Sequence, residues 1–268
     1  MKDIKVVVCD LDNTLLTTQK ILTERTLNAI SAIRAKSIKF LIASGRPIFG
    51  IEAMIRNWGL ENNLDGIIGM NGGQFLDMHT KIEQEFLLLE LPVLHEILED
   101  FSGLKLNACL QLRTGIYAQR PDSKVVSIAN RSRVPLVIVN MNDILTGPQG
   151  KIVFTVPENR MDEVEAFMVA HPSKNYRGFK SQKDLYEIIH PDLSKSIGIA
   201  KYCETIGTDM AHVLAFGDTT NDLEMIRDCG IGVCMSNGTQ DILDIADAVT
   251  LSCDEDGVAD YLEKYVLS

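Results

Sequence analysis

Residues 6–16 have the sequence Val-Val-Val-Cys-Asp-Leu-Asp-Asn-Thr-Leu-Leu, an apolar run that stops at two carboxylates and a hydroxyl. Consecutive β-branched residues with no polar alternation are typical of a parallel strand that is covered on both faces. Such a strand would end at Asp10, and open α/β sheets bind their ligands at the carboxyl ends of the strands. The stretch therefore predicts a central strand with Asp10 at the functional edge of its sheet.

Asp10 and Asp12 are separated by a single residue, so a tight turn would bring both carboxylates into one small volume. Two like charges that close together are unfavourable unless a cation lies between them. Mg²⁺, a hard cation that takes oxygen ligands, is the ion we expect. An ordinary strand followed by an acidic turn without a function would have the same sequence pattern. The rest of the chain is needed to distinguish that turn from a metal site.

Two more buried strands are predicted, over residues 39–43 and 66–70, after a helix over about 24–36 that Thr23 caps. Both strands end in polar or glycine-rich turns. This arrangement is typical of a parallel sheet whose functional groups lie along one edge.

The turn after the second strand contains Ser44, Gly45 and Arg46. The Ser44 hydroxyl could donate to a phosphate oxygen, or it could simply cap the following helix. Gly45 would let the backbone approach an anion near a helix N-terminus. Arg46 could bind substrate or remain in solvent.

Between residues 80 and 185 the apolar segments become short and alternating, which is typical of an antiparallel sheet. We expect strands near 106–112, 116–119, 136–139, 152–156 and 185–189, helices near 93–101 and 159–171, and a loop over 177–180. The chain is therefore divided into a core of residues 1–79 and 186–268 and an inserted α+β domain of residues 80–185.

The last third of the chain adds two more polar sites. Lys195 would open a helix over 195–205, where a positive charge opposes the helix dipole. A buried strand over 212–216 then runs into Gly-Asp-Thr-Thr-Asn-Asp at 217–222. Asp218 and Asp222 with Asn221 beside them suit one metal ligand and the groups that support it.

These four sites, taken in order, resemble the four motifs of the haloacid dehalogenase-like phosphatases. Asp-Leu-Asp-Asn-Thr-Leu is similar to the first motif, DxDGT(L/V), with Asn13 where the family usually has Gly, and Asn tolerates the left-handed backbone of that turn. Residues 217–222 closely match GDxxND. Ser196 stands where Gly usually follows the third-motif lysine. The position and size of the insert resemble the large type IIB cap of the Cof-type subfamily.

The resemblance implies an α/β core with a Rossmann-like parallel sheet and a Mg²⁺-dependent phosphatase acting on small phosphomonoesters, such as sugar phosphates or phosphorylated cofactors. Asp10 would attack phosphorus to form an aspartyl-phosphate, and Asp12 would act as general acid and base. The resemblance also implies roles for the other motif residues. Mg²⁺ would be held by Asp10, the Asp12 carbonyl and Asp218, and Asn221 and Asp222 would orient these ligands. The phosphoryl group or the substrate would be bound by Ser44, Gly45, Arg46, Lys195 and Asn221.

Other functions remain open on this fold. A dehalogenase would lack the second aspartate, so Asp12 argues against that branch. A phosphosugar mutase or phosphotransferase would share the chemistry. A ligand-binding regulator with a silent site would share only the fold, and the intact Asp10, Asp12, Lys195 and Asp218 argue against it.

Composition narrows the range of partners. The chain has 268 residues and a formal net charge of −11, which argues against nucleic acid and anionic membranes as partners. The six cysteines form no C-x-x-C pair, as expected for buried thiols in the cytoplasm. We therefore expect a cytoplasmic monomer or homodimer without a membrane span, whose partner is a small phosphorylated metabolite.

Overall fold

A computed structural model describes residues 3–268 of the chain. Its strands are β1 Val6–Cys9, β2 Lys39–Ala43, β3 Gly66–Gly69, β4 Gln74–Asp77, β5 Glu83–Glu85, β6 Asn107–Leu112, β7 Gly115–Ala118, β8 Leu136–Ile138, β9 Ile152–Thr155, β10 Arg177–Gln182, β11 Leu185–Ile189, β12 Val213–Gly217, β13 Ile231–Met235 and β14 Ala248–Thr250. Its α-helices are α1 Glu24–Ala35, α2 Ile48–Ile55, α3 Leu91–Asp100, α4 Ser123–Ser132, α5 Met141–Ile144, α6 Met161–Ala170, α7 Lys195–Thr205, α8 Leu223–Asp228, α9 Gln240–Leu243 and α10 Gly257–Tyr265.

The chain forms two compact units. The first comprises residues up to 48, 54–84 and 194–268, and the second comprises residues 49–53 and 85–193. The first unit contains an eight-stranded sheet in the order β14-β13-β12-β1-β2-β3-β4-β5. The strands from β14 to β3 are all parallel, and β4 is antiparallel to β3. The predicted α/β fold with a parallel sheet is confirmed.

The strand β1 lies in the middle of that parallel region, and its four residues are completely buried. This explains the unbroken apolar run in the sequence, because a strand with helices on both faces has no solvent side. The helix α1 begins where its cap was predicted, since the Thr23 side chain accepts a hydrogen bond from the Thr26 amide.

The second unit is built on a six-stranded sheet in the order β10-β11-β9-β6-β7-β8, antiparallel except for the β7–β8 pair. Side chains alternate between its two faces. One face contributes residues such as Phe154 and Ile188 to a core with α3 and α6, and the other contributes residues such as Val153 and Leu185 to a smaller core with α4. The unit therefore has its own hydrophobic core.

Several expectations about this region need correction. The strand β11 pairs with β9, so residues 186–193, which we assigned to the core from the sequence, belong to the second unit. At the other boundary, residues 80–84 belong to the first unit. Residues 177–180 are not a loop but lie in β10, because β11 supplies a hydrogen-bonding neighbour. The strands β4 and β5 and the helices α4 and α5 were not predicted.

All six cysteines are free and buried, as expected from the sequence. Within residues 3–268, the structure contains no helix with the length and apolar character needed to cross a membrane.

Candidate active site

The order of the sheet places the first and fourth motifs next to each other. The strand β1 lies between β2 and β12, and Cys9 is in register with Phe216 on β12. The Asp10 amide continues that ladder by donating to the Phe216 carbonyl at 2.9 Å. Asp10 and Asp218 therefore follow adjacent parallel strands and emerge at the same edge of the sheet.

The turn after β1 holds the site together on one side. Asn13 has a φ of 66°, so the left-handed backbone expected at this position is confirmed. Thr14, which the turn brings inward, is almost completely buried and donates from Oγ1 to Asp218 Oδ1 at 2.9 Å. The hydroxyl of the first motif thus orients the carboxylate of the fourth.

Lys195 is completely buried, and its ammonium group lies 2.5 Å from Asp10 Oδ1 and 2.5 Å from Asp222 Oδ1. Burial alone would lower the pKa of Lys195, but the two carboxylates outweigh it and raise the pKa above its ordinary value. The unfavourable position of a lysine at the start of α7 is thus explained by this double ion pair. Ser196, in place of the usual Gly, is accommodated because its hydroxyl donates to Asp228 Oδ2 at 2.7 Å.

Asp222 is occupied by neighbouring groups rather than presented to a ligand. Its Oδ1 accepts from Lys195, and its Oδ2 accepts from the backbone amides of Asp218 and Thr219 at 3.0 and 3.2 Å. A carboxylate with both oxygens bonded in this way is suited to orienting its neighbours.

The buried charges of the site do not balance. Carboxylate oxygens of Asp10, Asp218 and Asp222 lie within 4.8 Å of one another, and Lys195 is the ammonium group paired with them. Burial, together with the neighbouring carboxylates, raises the pKa of Asp10 to about 7 and that of Asp218 to about 8. With all three carboxylates ionised, one ammonium group would leave two negative charges, so the donor set suits a divalent cation that prefers oxygen ligands.

Asp12 lies in a different environment. Its carboxylate accepts a bidentate pair of hydrogen bonds from Arg46, at 2.9 Å from Nε and 2.7 Å from Nη2, and Lys20 Nζ lies 3.1 Å from Oδ1. Burial tends to raise the pKa of Asp12, but the two cations outweigh it and hold the pKa below its ordinary value. In this structure Arg46 therefore binds a carboxylate of the chain itself, and Asp12 is ionised.

The turn after β2 adjoins the turn after β3. Ser44 is buried, and its Oγ accepts from the Arg46 amide at 3.3 Å within the turn. It does not cap the following helix, since Pro47 is at the N-cap of α2. Gly45 allows the Asn71 side chain to pack closely, because a Cβ there would lie 2.9 Å from Asn71 Oδ1 and that side chain would have to shift. Asn221 joins the same group, since its Nδ2 donates to Asn71 Oδ1 at 3.4 Å.

Three residues of this neighbourhood were not singled out from the sequence as site residues. Thr14 could have been identified, because its hydroxyl ends the first motif. Asn71 follows β3 as the other site residues follow their strands, which is a weaker signal of the same kind. Lys20 has no sequence signal, because only the fold brings it to Asp12.

Comparison with known proteins agrees with this geometry. Residues 7–262 match a family described as haloacid dehalogenase-like hydrolase. The chain is 26% identical over 98% of its length to a Bacillus subtilis protein, YxeH, named as a candidate phosphatase, with 99% of that protein covered. It is 24% identical to the 5-amino-6-(5-phospho-D-ribitylamino)uracil phosphatase YitU of the same organism, with 97% of each covered. A haloacid dehalogenase-like hydrolase from Bacteroides thetaiotaomicron superimposes with a TM-score of 0.85 at 25% identity, covering 97% of this chain and 99% of the other.

Proposed function

The chain belongs to the haloacid dehalogenase-like hydrolases, and we propose that it is a Mg²⁺-dependent phosphatase that hydrolyses small phosphomonoesters through an aspartyl-phosphate. The observation that carries the proposal is the buried ion pair at the end of β1, where Lys195 Nζ lies 2.5 Å from Asp10 Oδ1. A phosphate dianion repels a carboxylate nucleophile, and a buried ammonium group beside that nucleophile reduces the repulsion.

Asp10 would attack phosphorus in line, forming a bond from its carboxylate oxygen to phosphorus while the bond to the leaving oxygen breaks. Asp12 would give a proton to that leaving oxygen. In the second step Asp12 would take a proton from water as the water attacks the aspartyl-phosphate and releases inorganic phosphate. The ionised Asp12 of this structure is the form needed for the second step. For the first step Asp12 must be protonated, so its bidentate pair with Arg46 has to loosen when substrate binds.

Asp10 and Asp218 would hold the cation, together with the backbone carbonyl of Asp12. Bound there, Mg²⁺ would supply positive charge that stabilises the transferring phosphoryl oxygens. Asp222 would keep Lys195 and the Asp218 backbone in place, and Thr14 would hold the Asp218 carboxylate.

The substrate class is proposed on two grounds. The relative YitU is named for a phosphorylated ribityl compound, which is a small sugar derivative. The net charge of −11 adds a long-range repulsion against polyanions such as nucleic acid. We therefore propose sugar phosphates or phosphorylated cofactor precursors as substrates, and we assign the selectivity among them to the inserted second unit.

The test is to measure phosphate release with Mg²⁺ from an aryl phosphate and from a panel of phosphorylated metabolites. Asp10→Asn should lower kcat by more than about a hundredfold, which corresponds to roughly 3 kcal/mol in the barrier. The exposed Asp3→Asn is the matched control and should keep the wild-type rate. Steady release without an added bisphosphate separates hydrolysis from mutase chemistry. A wild-type protein that hydrolyses none of these compounds, or an Asp10→Asn variant that retains its rate, contradicts the proposal.

A further inference from the structure

The turn after β3 contains three consecutive residues with positive φ: Met70 at 51°, Asn71 at 56° and Gly72 at 104°. A left-handed backbone is unfavourable for side chains other than glycine, by on the order of 1–3 kcal/mol for each residue. Asn is among the side chains that tolerate it best, and Asn71 is also buried, with 3% of its surface exposed. Such a turn persists only where its surroundings hold it.

Backbone hydrogen bonds tie this turn to the second motif. The Asn71 amide donates to the Ser44 carbonyl at 3.1 Å, and the Met70 amide donates to the Arg46 carbonyl at 2.9 Å. The Asn71 side chain packs against Gly45, where any Cβ would lie 2.9 Å from its Oδ1. The position of the Ser44–Arg46 turn is therefore set by Asn71 from two sides.

The same turn meets the third and fourth motifs. A Cβ on Gly72 would lie 1.9 Å from the Ser194 carbonyl oxygen, so the two backbones are in direct contact just before Lys195. On the other side, Asn71 Oδ1 accepts from Asn221 Nδ2 at 3.4 Å. Three of the four motif loops thus converge on Asn71 and Gly72.

We propose that Asn71 is a positioning residue that holds Ser44 and Asn221 in the places where they meet the phosphoryl group. The inference rests on the proposed phosphatase function. Rate enhancement in phosphoryl transfer depends on pre-organised groups, and a misplacement of about 1 Å can reduce the rate by roughly a hundredfold. Loss of Asn71 should therefore weaken binding of the transition state more than binding of the product phosphate.

The principal variant is Asn71→Gly, because glycine accepts the positive φ and only the side chain is lost. We expect kcat to fall by roughly tenfold to a hundredfold. Inhibition by orthovanadate, which mimics the trigonal-bipyramidal transition state, should weaken by a similar factor, and inhibition by inorganic phosphate should change less than about threefold. Asn71→Asp retains the oxygen that accepts from Asn221 but adds a negative charge, so it should keep kcat within about threefold of wild type and raise KM.

The matched control is Lys105→Gly, which makes the same left-handed-to-glycine change at an exposed residue of the second unit with a φ of 52°. It should leave kcat and both inhibition constants unchanged. If Asn71→Gly does not fold, Gly45→Ala replaces it with the same expected loss, because its Cβ would lie 2.9 Å from Asn71 Oδ1 and would displace that side chain without changing the left-handed residue. The inference is overturned if the folded variant keeps kcat within threefold of wild type, if vanadate and phosphate weaken equally, or if Asn71→Asp loses as much kcat as the glycine variant. An inactive wild-type protein would instead contradict the proposed function itself.

Discussion

We predict that Asp65→Asn destabilises the first unit by about 3 kcal/mol at pH 7. Asp65 immediately precedes β3, and 1% of its surface is exposed. Its Oδ2 accepts from Arg34 Nε at 2.9 Å and from the Phe40 amide at 3.0 Å. Its Oδ1 lies 3.1 Å from Lys39 Nζ and 2.8 Å from His79 Nε2. One buried carboxylate therefore joins α1, β2 and the turn after β4.

The magnitude follows from what each partner loses. Breaking a fully buried ion pair costs about 3–5 kcal/mol. Here the side chains of Arg34, Lys39 and His79 are 22%, 41% and 57% exposed, so water can replace part of what they lose. Asparagine keeps one oxygen, which can still accept from Arg34 Nε and the Phe40 amide. Its NH2 group then faces the donors Lys39 Nζ and His79 Nε2, and a buried donor without an acceptor costs about 1–3 kcal/mol. These contributions together give about 3 kcal/mol.

The effect should depend on pH in a defined direction. Burial tends to raise the pKa of Asp65, but hydrogen bonds from Arg34, His79, the Phe40 amide and Lys39 outweigh it and hold the pKa well below its ordinary value. A carboxyl with a lowered pKa stabilises the folded state above its unfolded pKa of about 3.9, and the stabilisation is lost as the pH falls through the lower folded pKa. The difference between wild type and Asp65→Asn should therefore be present at pH 7 and 5 and shrink below about pH 4.

Urea unfolding followed by tryptophan fluorescence measures this directly. Trp58 is the single tryptophan of the chain, is buried and lies in the first unit, so its signal reports on that unit. The exposed Asp3→Asn is the control and should change the unfolding free energy by less than about 0.5 kcal/mol. The reasoning is refuted if Asp65→Asn is as stable as this control, or if its deficit is the same at pH 7 and at pH 3.5.

Two further predictions concern the candidate active site. Chelation should stop hydrolysis, Mg²⁺ should restore it, and Ca²⁺ should inhibit because its coordination shell is larger and looser. The pKa values of Asp10 and Asp218 are raised to about 7 and 8, so protons compete with Mg²⁺ for these carboxylates. The Mg²⁺ concentration for half-maximal rate should therefore rise as the pH falls from 8 to 6. Activity in excess chelator, or a Mg²⁺ requirement that does not change with pH, would argue against this site. Gly72→Ala should lower the unfolding free energy by more than about 3 kcal/mol, since its Cβ would lie 1.9 Å from the Ser194 carbonyl oxygen. The control is Gly207→Ala, which shares a positive φ but meets nothing within 4 Å and should cost only about 1–2 kcal/mol, so equal losses in urea unfolding would contradict the steric argument.

The parallel part of the first sheet was predictable because its signals are local. An apolar run such as residues 6–9 is long enough to indicate a buried strand, and a polar group directly after it marks the edge where ligands bind. The unfavourable lysine at the start of α7 was informative for the same reason. A residue that opposes a local preference has to be explained by something distant, and the double ion pair of Lys195 with Asp10 and Asp222 supplies that explanation.

What could not be predicted depends on contacts between distant segments. Only one of the six residues of β10 is a large apolar residue, so its strand conformation depends on pairing with β11 rather than on its own sequence. The helix α4 did have usable signals, namely Asp122 as its N-cap and buried residues at Val125, Ile128 and Ala129, and it was overlooked. No local pattern connects Lys20 to Asp12, because that ion pair forms only after the turn has folded.

The two ends of the parallel strands handle buried negative charge in opposite ways. At the end where the strands begin, the single carboxylate of Asp65 is surrounded by two permanent cations, a histidine and a backbone amide. Its negative charge is therefore neutralised, and its oxygens are hydrogen-bonded, within the chain. At the end where the strands finish, the three carboxylates around Lys195 have one ammonium group among them, and burial raises the pKa of two of them. Charge that is fully compensated stabilises a fold and offers nothing to a ligand. Charge that is under-compensated is unfavourable until a cation from outside binds, and that deficit is the physical reason for which we propose the chemistry at the carboxyl ends of β1 and β12.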